Sequence, residues 1–485
     1  MANRREHAVL QSKTRGGSEI WAGGLGVVGV LWAGARLGGK LMTLTEVKAA
    51  LAEAEVVPSK KLGQNFLCDQ NSAAWIVKQL QLEEGDCVVE VGPGTGALTE
   101  QVRGKVRKVI LVEFDRRLAA WLTKRFEDDD SVEVIHEDGA QFDIRRLFKE
   151  GPVKLLGNLP YSAGGAILRN FLNAPSPVSR AVIMLQREVI DRIVAEPRTK
   201  AYGVLGLRMQ SEWKSKPLKT IAPELFHPRP TIDSTVMLVE PRRDDLPVYD
   251  MKLFDELMRR GFAQRRKQLR KAMPDRRVWA EVAAEIGCSE TARPEELSIL
   301  QWVNLTRAYD DHPLKDNPQR GDEMFDVVNE NDEVVGQEQR AVVHETGLMH
   351  RAVHVFLLNK VGEVFLQKRS RLKDVHPGRW DSSAAGHLEV GEAYEDSARR
   401  ELGEELGQDG EELALVGKLP ASEKTGMEFV ELFTARKKGG LRYPCSEVET
   451  GMWLDPEEID GWVARRPEEF ADGFMECWRL WRQVP

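Results

Sequence analysis

The stretch Gly157-Asn158-Leu159-Pro160-Tyr161 follows an apolar run, Val153 to Leu156, where a strand would end and hand its side chains to a cleft. The exocyclic amine of a nucleobase is a poor nucleophile, because its lone pair is conjugated into the ring. A site that methylates it must hold the nitrogen still and draw on its protons. The Asn158 side-chain oxygen and a backbone carbonyl near Pro160 can accept both protons and localise the lone pair toward a methyl donor, while Tyr161 stacks on the ring. No strong general base is then needed. As ordinary structure, the same residues make a strand-to-turn junction capped by Asn and stiffened by Pro.

A second group lies far downstream. Glu401, Glu404 and Glu405 stand at i, i+3 and i+4, so a helix puts three carboxylates on one face. As a plain surface stripe they would repel one another. As ligands for Mg2+ or Mn2+ they would hold an ion that neutralises a diphosphate and activates water. Arg400 can orient the carboxylates and Gly407 can end the helix.

The elements that must position these groups can be read from the apolar pattern. Cys87 to Val91, Lys108 to Val112, Val132 to His136, Val153 to Leu156 and Ala181 to Leu185 read as buried parallel strands alternating with helices, a Rossmann-like doubly wound α/β sheet. Ser234 to Val239 reads as a late strand at the sheet edge. Gly92-Pro93-Gly94-Thr95-Gly96 closes the first strand, and its glycines let the backbone approach a ligand; the spacing is G-x-G-x-G, not the dinucleotide G-x-G-x-x-G. Glu113 ends the second strand, where an acid can grip ribose hydroxyls. Asp138 follows the third and can accept a hydrogen bond from an adenine amine. These features occur in the strand-end order used by S-adenosylmethionine enzymes.

Length and charge set the wider frame. The 485 residues suggest about three domains. Residues 321–485 hold 20 Lys and Arg against 34 Asp and Glu, whereas residues 1–320 hold 49 against 43. The first part can face a polyanion; the second is built to hold cations or avoid nucleic acid. Five isolated cysteines exclude a disulfide or zinc framework, which fits a reducing, cytoplasmic setting. Residues 1–41 carry Arg4, Arg5, Lys13 and Arg15 before an uncharged Gly-rich run too short to span a bilayer, so a start at Met42 and no stable membrane association are expected. The expected units are a catalytic α/β domain over 42–245, a small all-α subdomain over 246–309, a linker over 310–322 and an α+β unit over 323–485.

Taken together, Lys60-Lys61-Leu62-Gly63-Gln64-Asn65-Phe66-Leu67, the glycine loop, Gly157 to Tyr161, Phe226-His227-Pro228-Arg229-Pro230-Thr231-Ile232-Asp233-Ser234 and Phe262-Ala263-Gln264-Arg265-Arg266-Lys267 closely resemble the small-subunit (16S) ribosomal RNA adenine dimethyltransferase family over roughly residues 45–309. The resemblance implies dimethylation of adjacent adenosines in a terminal hairpin loop of 16S rRNA in the small ribosomal subunit, with S-adenosylmethionine as donor. It implies that Asn65, Leu67, Gly92, Gly94, Glu113, Asp138 and Asn158 contact the cofactor. Asn158, Leu159, Pro160 and Tyr161 would hold the base, and Phe226 would cover its other face. The cations Lys252, Arg259, Arg260, Arg265, Arg266, Lys267, Arg270 and Lys271 crowd one helical stretch; beside a flipped-base pocket they are expected to meet phosphates. The rival readings are a non-catalytic nucleic-acid-binding factor on the same scaffold and an enzyme of large-subunit RNA.

Gly386 to Glu392 followed by Arg400 to Gly407 resembles the Nudix box, with Gln408 in place of its final apolar residue. Residues 324–454 resemble the branch similar to isopentenyl diphosphate isomerase. Where those isomerases carry a catalytic cysteine this chain has Ala385, so hydrolysis of a diphosphate-containing small molecule is expected instead. Gly386, Glu392 and Arg400 would support the metal glutamates. His350 and His387 match metal-binding histidines of the isomerases, and Glu447 is a further candidate ligand or base.

Overall fold

The computed structural model describes residues 43–59, 62–160, 162–242, 246–311, 319–409 and 412–484. Tyr161, most of the expected linker and residues 1–41 lie outside them.

In the N-terminal domain a short strand β1 (Phe66–Leu67) precedes β2 (Cys87–Val91), β3 (Lys108–Glu113), β4 (Val132–His136), β5 (Val153–Asn158) and β6 (Val178–Gln186); β7 (Trp213–Ile221), β8 (Phe226–His227) and β9 (Ser234–Pro241) follow. The large sheet runs β4-β3-β2-β5-β6-β9-β7. Its first five members are parallel, and β9 joins antiparallel to both β6 and β7. The central strand β2 is buried along its whole length, as expected where helices cover both faces. Apolar clusters lie on the two faces, one built on Val88, Leu111 and Leu156, the other on Val89, Ile110 and Leu155.

The expected edge strand is not at the edge. β9 lies between β6 and β7, and β7 takes the outside position. β7 escapes the apolar pattern because Lys214, Lys216 and Lys219 face out and Pro217 sits at a register shift. Lysines and proline suit a strand with one unpaired side, since they discourage pairing with another chain.

The helical subdomain packs helices Met251–Ala263, Trp279–Glu285 and Ile299–Ala308 around Trp302, Leu257, Met258 and Leu269. Tyr202 from the α/β domain donates its hydroxyl to the Leu297 carbonyl at 2.6 Å, fixing one domain on the other.

The C-terminal domain contains β10 (Met324–Val328), β11 (Val334–Gln339), β12 (His350–Leu358), β13 (Val364–Arg369), β14 (Trp380–Asp381), β15 (Ala384–His387), β16 (Leu413–Leu419), β17 (Glu428–Arg436) and β18 (Val448–Leu454). The order is β14-β13-β12-β17-β16, with β15 on β12 and β18 on β13; β10 and β11 form a separate hairpin. Helix Tyr394–Leu406 covers one face through Leu402 and Leu406, and helices Pro456–Arg465 and Asp472–Gln483 cover the other through Trp462, Phe474 and Trp478. This is an α/β/α sandwich. Among the described residues no helix is long and apolar enough to cross a membrane.

Trp302 is fully buried at the centre of the helical subdomain. Trp302→Ala is expected to cost about 3–5 kcal/mol there, read as a lower-temperature first transition in calorimetry of the full chain.

Candidate active sites

Parallel pairing of β2, β3, β4 and β5 brings their C-terminal ends to one edge, and a cavity of about 270 Å³ opens there. Asn65, Leu67, Gly92, Gly94, Glu113, Asp138, Asn158 and Pro160 all line it. The Glu113 carboxylate accepts the Gly94 amide at 3.1 Å and the Asp115 amide at 2.8 Å. Burial pushes Glu113 up to about 7 despite those bonds. Deeper in the same wall, Glu90 is fully buried, is pushed up by burial to about 8 and accepts the Thr99 hydroxyl at 2.6 Å. Asp138 folds back on the Ala140 amide at 2.9 Å.

Two glycines make the cavity possible. Gly94 has φ +58, and a Cβ there would stand 2.8 Å from the Phe66 ring. Gly139 would place a Cβ 2.6 Å from Val91.

The Asn158 side-chain amide donates to the Asn65 carbonyl at 2.9 Å, tying the β5 end to the segment that leads into β1. Three expectations change here. The Leu159 side chain is in the core at 2% exposure, so it anchors the turn and only the backbone of this residue is left to meet a base. The Pro160 carbonyl is taken by the Ala163 and Gly164 amides at 3.1 and 2.8 Å, because it starts the next helix. Phe226 is 4% exposed, pairs with Leu67 through β8 and packs in the core, away from the cavity lining.

The basic stretch divides. Arg265 donates to the Thr199 and Lys200 carbonyls at 2.9 Å each and pairs with Glu295, so it fastens the subdomain and is not available to RNA. Lys252 lies over the Tyr443 ring at 4.4 Å, and Arg259 and Arg260 pair with Asp255 and Glu256. Arg266, Lys267, Arg270 and Lys271 are exposed.

The second cavity, about 930 Å³, lies in the C-terminal domain. Helix Tyr394–Leu406 carries Glu401, Glu404 and Glu405 to its wall. Arg400 donates to Glu401 at 2.7 Å and to both oxygens of Glu392 at 3.0 Å, which holds the two carboxylates in line. Burial, then the neighbouring Glu405, pushes Glu401 up to about 8. Glu405 accepts Gln367 at 2.9 Å and the Ala385 amide at 3.1 Å. The Lys373 ammonium sits between Glu405, at 3.3 Å, and Glu447. A buried cation held among these acids indicates that the place demands positive charge, so the donor set fits a divalent ion.

Strand register assembles a further cluster in the same cavity. β12 pairs parallel with β17, setting His350 opposite Glu428, and antiparallel with β15, setting Ala352 opposite His387. Helix Arg340–Thr346 adds His344. Ligand atoms of the three histidines lie within 4.8 Å of one another. Glu428 stands 3.0 Å from His387 Nε2 and 3.6 Å from His350 Nε2, of which only the first is a hydrogen bond. Burial opposes ionisation of Glu428, but the facing imidazoles outweigh it and hold its carboxyl well below the usual range. Burial pushes His387 down to about 4. His344 and His350 each keep a buried Nε2 without a hydrogen bond. Clustered imidazoles beside an ionised carboxylate are a metal-ligand set. The sequence reading missed His344, which stands on another element and has no fixed spacing to His387.

A Cβ at Gly386 would displace the Glu401 carboxylate, since it would meet Glu401 Oε1 at 2.0 Å. Gly386→Ala is therefore expected to weaken Mn2+ binding to the full chain about 10- to 100-fold, measured by electron paramagnetic resonance titration.

Comparison with known proteins finds a family match over each half of the chain. Residues 58–311 match the family model described as ribosomal RNA adenine dimethylase, and residues 348–474 match the NUDIX domain model. "Ribosomal RNA small subunit methyltransferase A" of Picosynechococcus sp. is 34% identical over 269 residues, covering 53% of this chain and 98% of that protein. The protein of the same name from Bordetella avium is 37% identical over 252 residues, covering 51% and 94%. Among solved structures, DR0079 from Deinococcus radiodurans shows 29% identity over 33% of this chain and 99% of its own, with a TM-score of 0.29. The chain belongs to the ribosomal RNA adenine dimethylase family of methyltransferases and carries a NUDIX domain in the same polypeptide.

Proposed function

We propose that the N-terminal domain dimethylates adjacent adenosines in a hairpin loop of 16S rRNA, in the cytoplasm and on the small ribosomal subunit. The observation that carries this reading is the convergence of Gly92, Glu113, Asp138 and Asn158 on one cavity at four parallel strand ends. S-adenosylmethionine, bound there, supplies the methyl group. The Gly92 and Gly94 backbone gives it close approach, Glu113 takes its ribose hydroxyls and Asp138 its adenine amine. Asn158, held by Asn65, accepts one proton of the target amine; the Leu159 carbonyl takes the other, since that of Pro160 is engaged. Their pull localises the nitrogen lone pair, so no dedicated base is required. A loop base is the affordable substrate, because extruding a base from a duplex costs a few kcal/mol. Arg266, Lys267 and Arg270 meet phosphates along the way.

Labelled methyl transfer to under-methylated small subunits, with large subunits as control, tests this reading. Transfer to large subunits alone would favour the large-subunit enzyme; RNA binding without transfer to either would favour a binding factor. The triple variant Arg266→Ala, Lys267→Ala, Arg270→Ala is expected to lower the salt slope of RNA binding by roughly 0.7–0.9 per lost phosphate contact. The ionised Glu113 carboxylate is the better acceptor for ribose, and its value of about 7 places the change near neutrality. Affinity for S-adenosylhomocysteine should rise up to about tenfold per pH unit below pH 7 and level off above it; calorimetric titration of Glu113→Gln should give a flat profile.

For the NUDIX domain we infer hydrolysis of a phosphoanhydride in a small molecule. Glu401, Glu404 and Glu405 would hold Mg2+ or Mn2+, and His344, His350, His387 and Glu428 a second ion. The metal would neutralise the diphosphate and activate water. Arg400 and Gly386 keep the glutamates aligned. In a screen of nucleoside and isoprenoid diphosphates with Mg2+, Glu404→Gln should lose at least about a hundredfold in rate; equal rates would defeat this assignment.

A further inference from the structure

One segment of the N-terminal domain reaches both halves of the chain. It starts at Asp138 and Gly139, which line the first cavity. The Asp138 carbonyl accepts the Gln141 and Phe142 amides, both at 2.8 Å. The Asn170 side chain holds the Gly139 and Phe142 carbonyls at 3.0 and 2.8 Å. The Phe142 ring stacks on Phe171 with centroids 5.7 Å apart. Asp143 then caps a short turn of helix, Ile144–Glu150.

That turn leaves its own domain. Phe148 is 7% exposed and packs in the aromatic core of the C-terminal domain, 4.9 Å from the Trp462 ring and 5.8 Å from that of Trp380. Arg145 donates to Glu363 at 2.9 Å and to the Trp453 carbonyl at 2.8 Å. Glu150, its side chain 4% exposed, takes Arg107 at 3.1 Å and Lys108 at 2.9 Å from its own domain and Arg465 at 3.0 Å from the other. Gly151 leaves space that Arg466 fills, since a Cβ would come within 2.6 Å of the guanidinium. Trp380 in turn is continuous with Asp381, which lines the second cavity.

We propose that residues 138–151 form a coupling segment, through which cofactor binding in the first cavity and docking of the C-terminal domain stabilise each other. The proposal rests on the cofactor reading of that cavity. Undocking would expose the Phe148 ring and remove one of the three cations around a buried carboxylate, both unfavourable. The segment is hydrogen-bonded from its cavity end to its docked end, so the turn at Asp138 and the seat of Phe148 do not shift independently in a close-packed interior. A ligand that prefers the Asp138 turn as it stands therefore prefers the docked chain, and docking raises that ligand's affinity by the same factor.

Hydrogen exchange of the full chain with and without S-adenosylhomocysteine tests this. The ligand is expected to slow exchange in residues 144–150 and also in helix Pro456–Arg465, which lies outside the first cavity. Phe148→Ala should abolish the remote protection and weaken S-adenosylhomocysteine binding about fivefold or more. If that variant fails to fold, the double variant Arg145→Ala, Arg465→Ala carries the same comparison. Ligand binding with no change in helix Pro456–Arg465, or wild-type affinity in a folded variant, would overturn the coupling while leaving the cofactor site intact. Absence of any binding to wild type would overturn the cofactor reading itself, and the coupling with it.

Discussion

Parallel strand pairing is the constraint on which the N-terminal site depends. Because β2, β3, β4 and β5 run in one direction, every strand-to-helix junction falls at the same edge. Residues far apart in sequence, from Gly92 to Asn158, thus share a cavity. Hydrogen bonds then stiffen that edge: Glu113 draws in the glycine loop through the Gly94 amide, and Asn158 ties in the segment before β1 through Asn65. Altering the β2–β3 register would separate these groups even with every residue present.

The C-terminal domain solves its own problem through mixed pairing. β12 is parallel to one neighbour and antiparallel to another, and only this combination puts His350, Glu428 and His387 together. The box helix packs on the same sheet by Leu402 and Leu406, so its glutamates face the same cavity. Two side-chain clusters of different donor chemistry, carboxylates and imidazoles, therefore meet at one chamber.

How much of this was legible in the sequence varies with the physics behind each element. The buried strands stood out because uninterrupted runs such as Cys87 to Val91 have few other uses. The glycine loop, Glu113, Asp138 and the box glutamates were legible because their chemistry is local: a strand end, or one face of a helix. β7 was not, since an edge strand tolerates the lysines and proline that disguise it. Arg265 and Phe226 were assigned to ligands although both are structural, because a sequence shows neither the carbonyls around a guanidinium nor the face a short strand turns inward. His344 and the seat of Phe148 depend on long-range packing that leaves no periodic trace.

Lys373 has a consequence for how the chain comes to be. Buried carboxylates that await a metal usually leave a domain poorly folded without it, because their mutual repulsion has no relief. Here a tethered ammonium lies between Glu405 and Glu447. The C-terminal domain thereby supplies a positive charge of its own to these acids, and the fold does not need a bound metal to relieve the repulsion between Glu405 and Glu447.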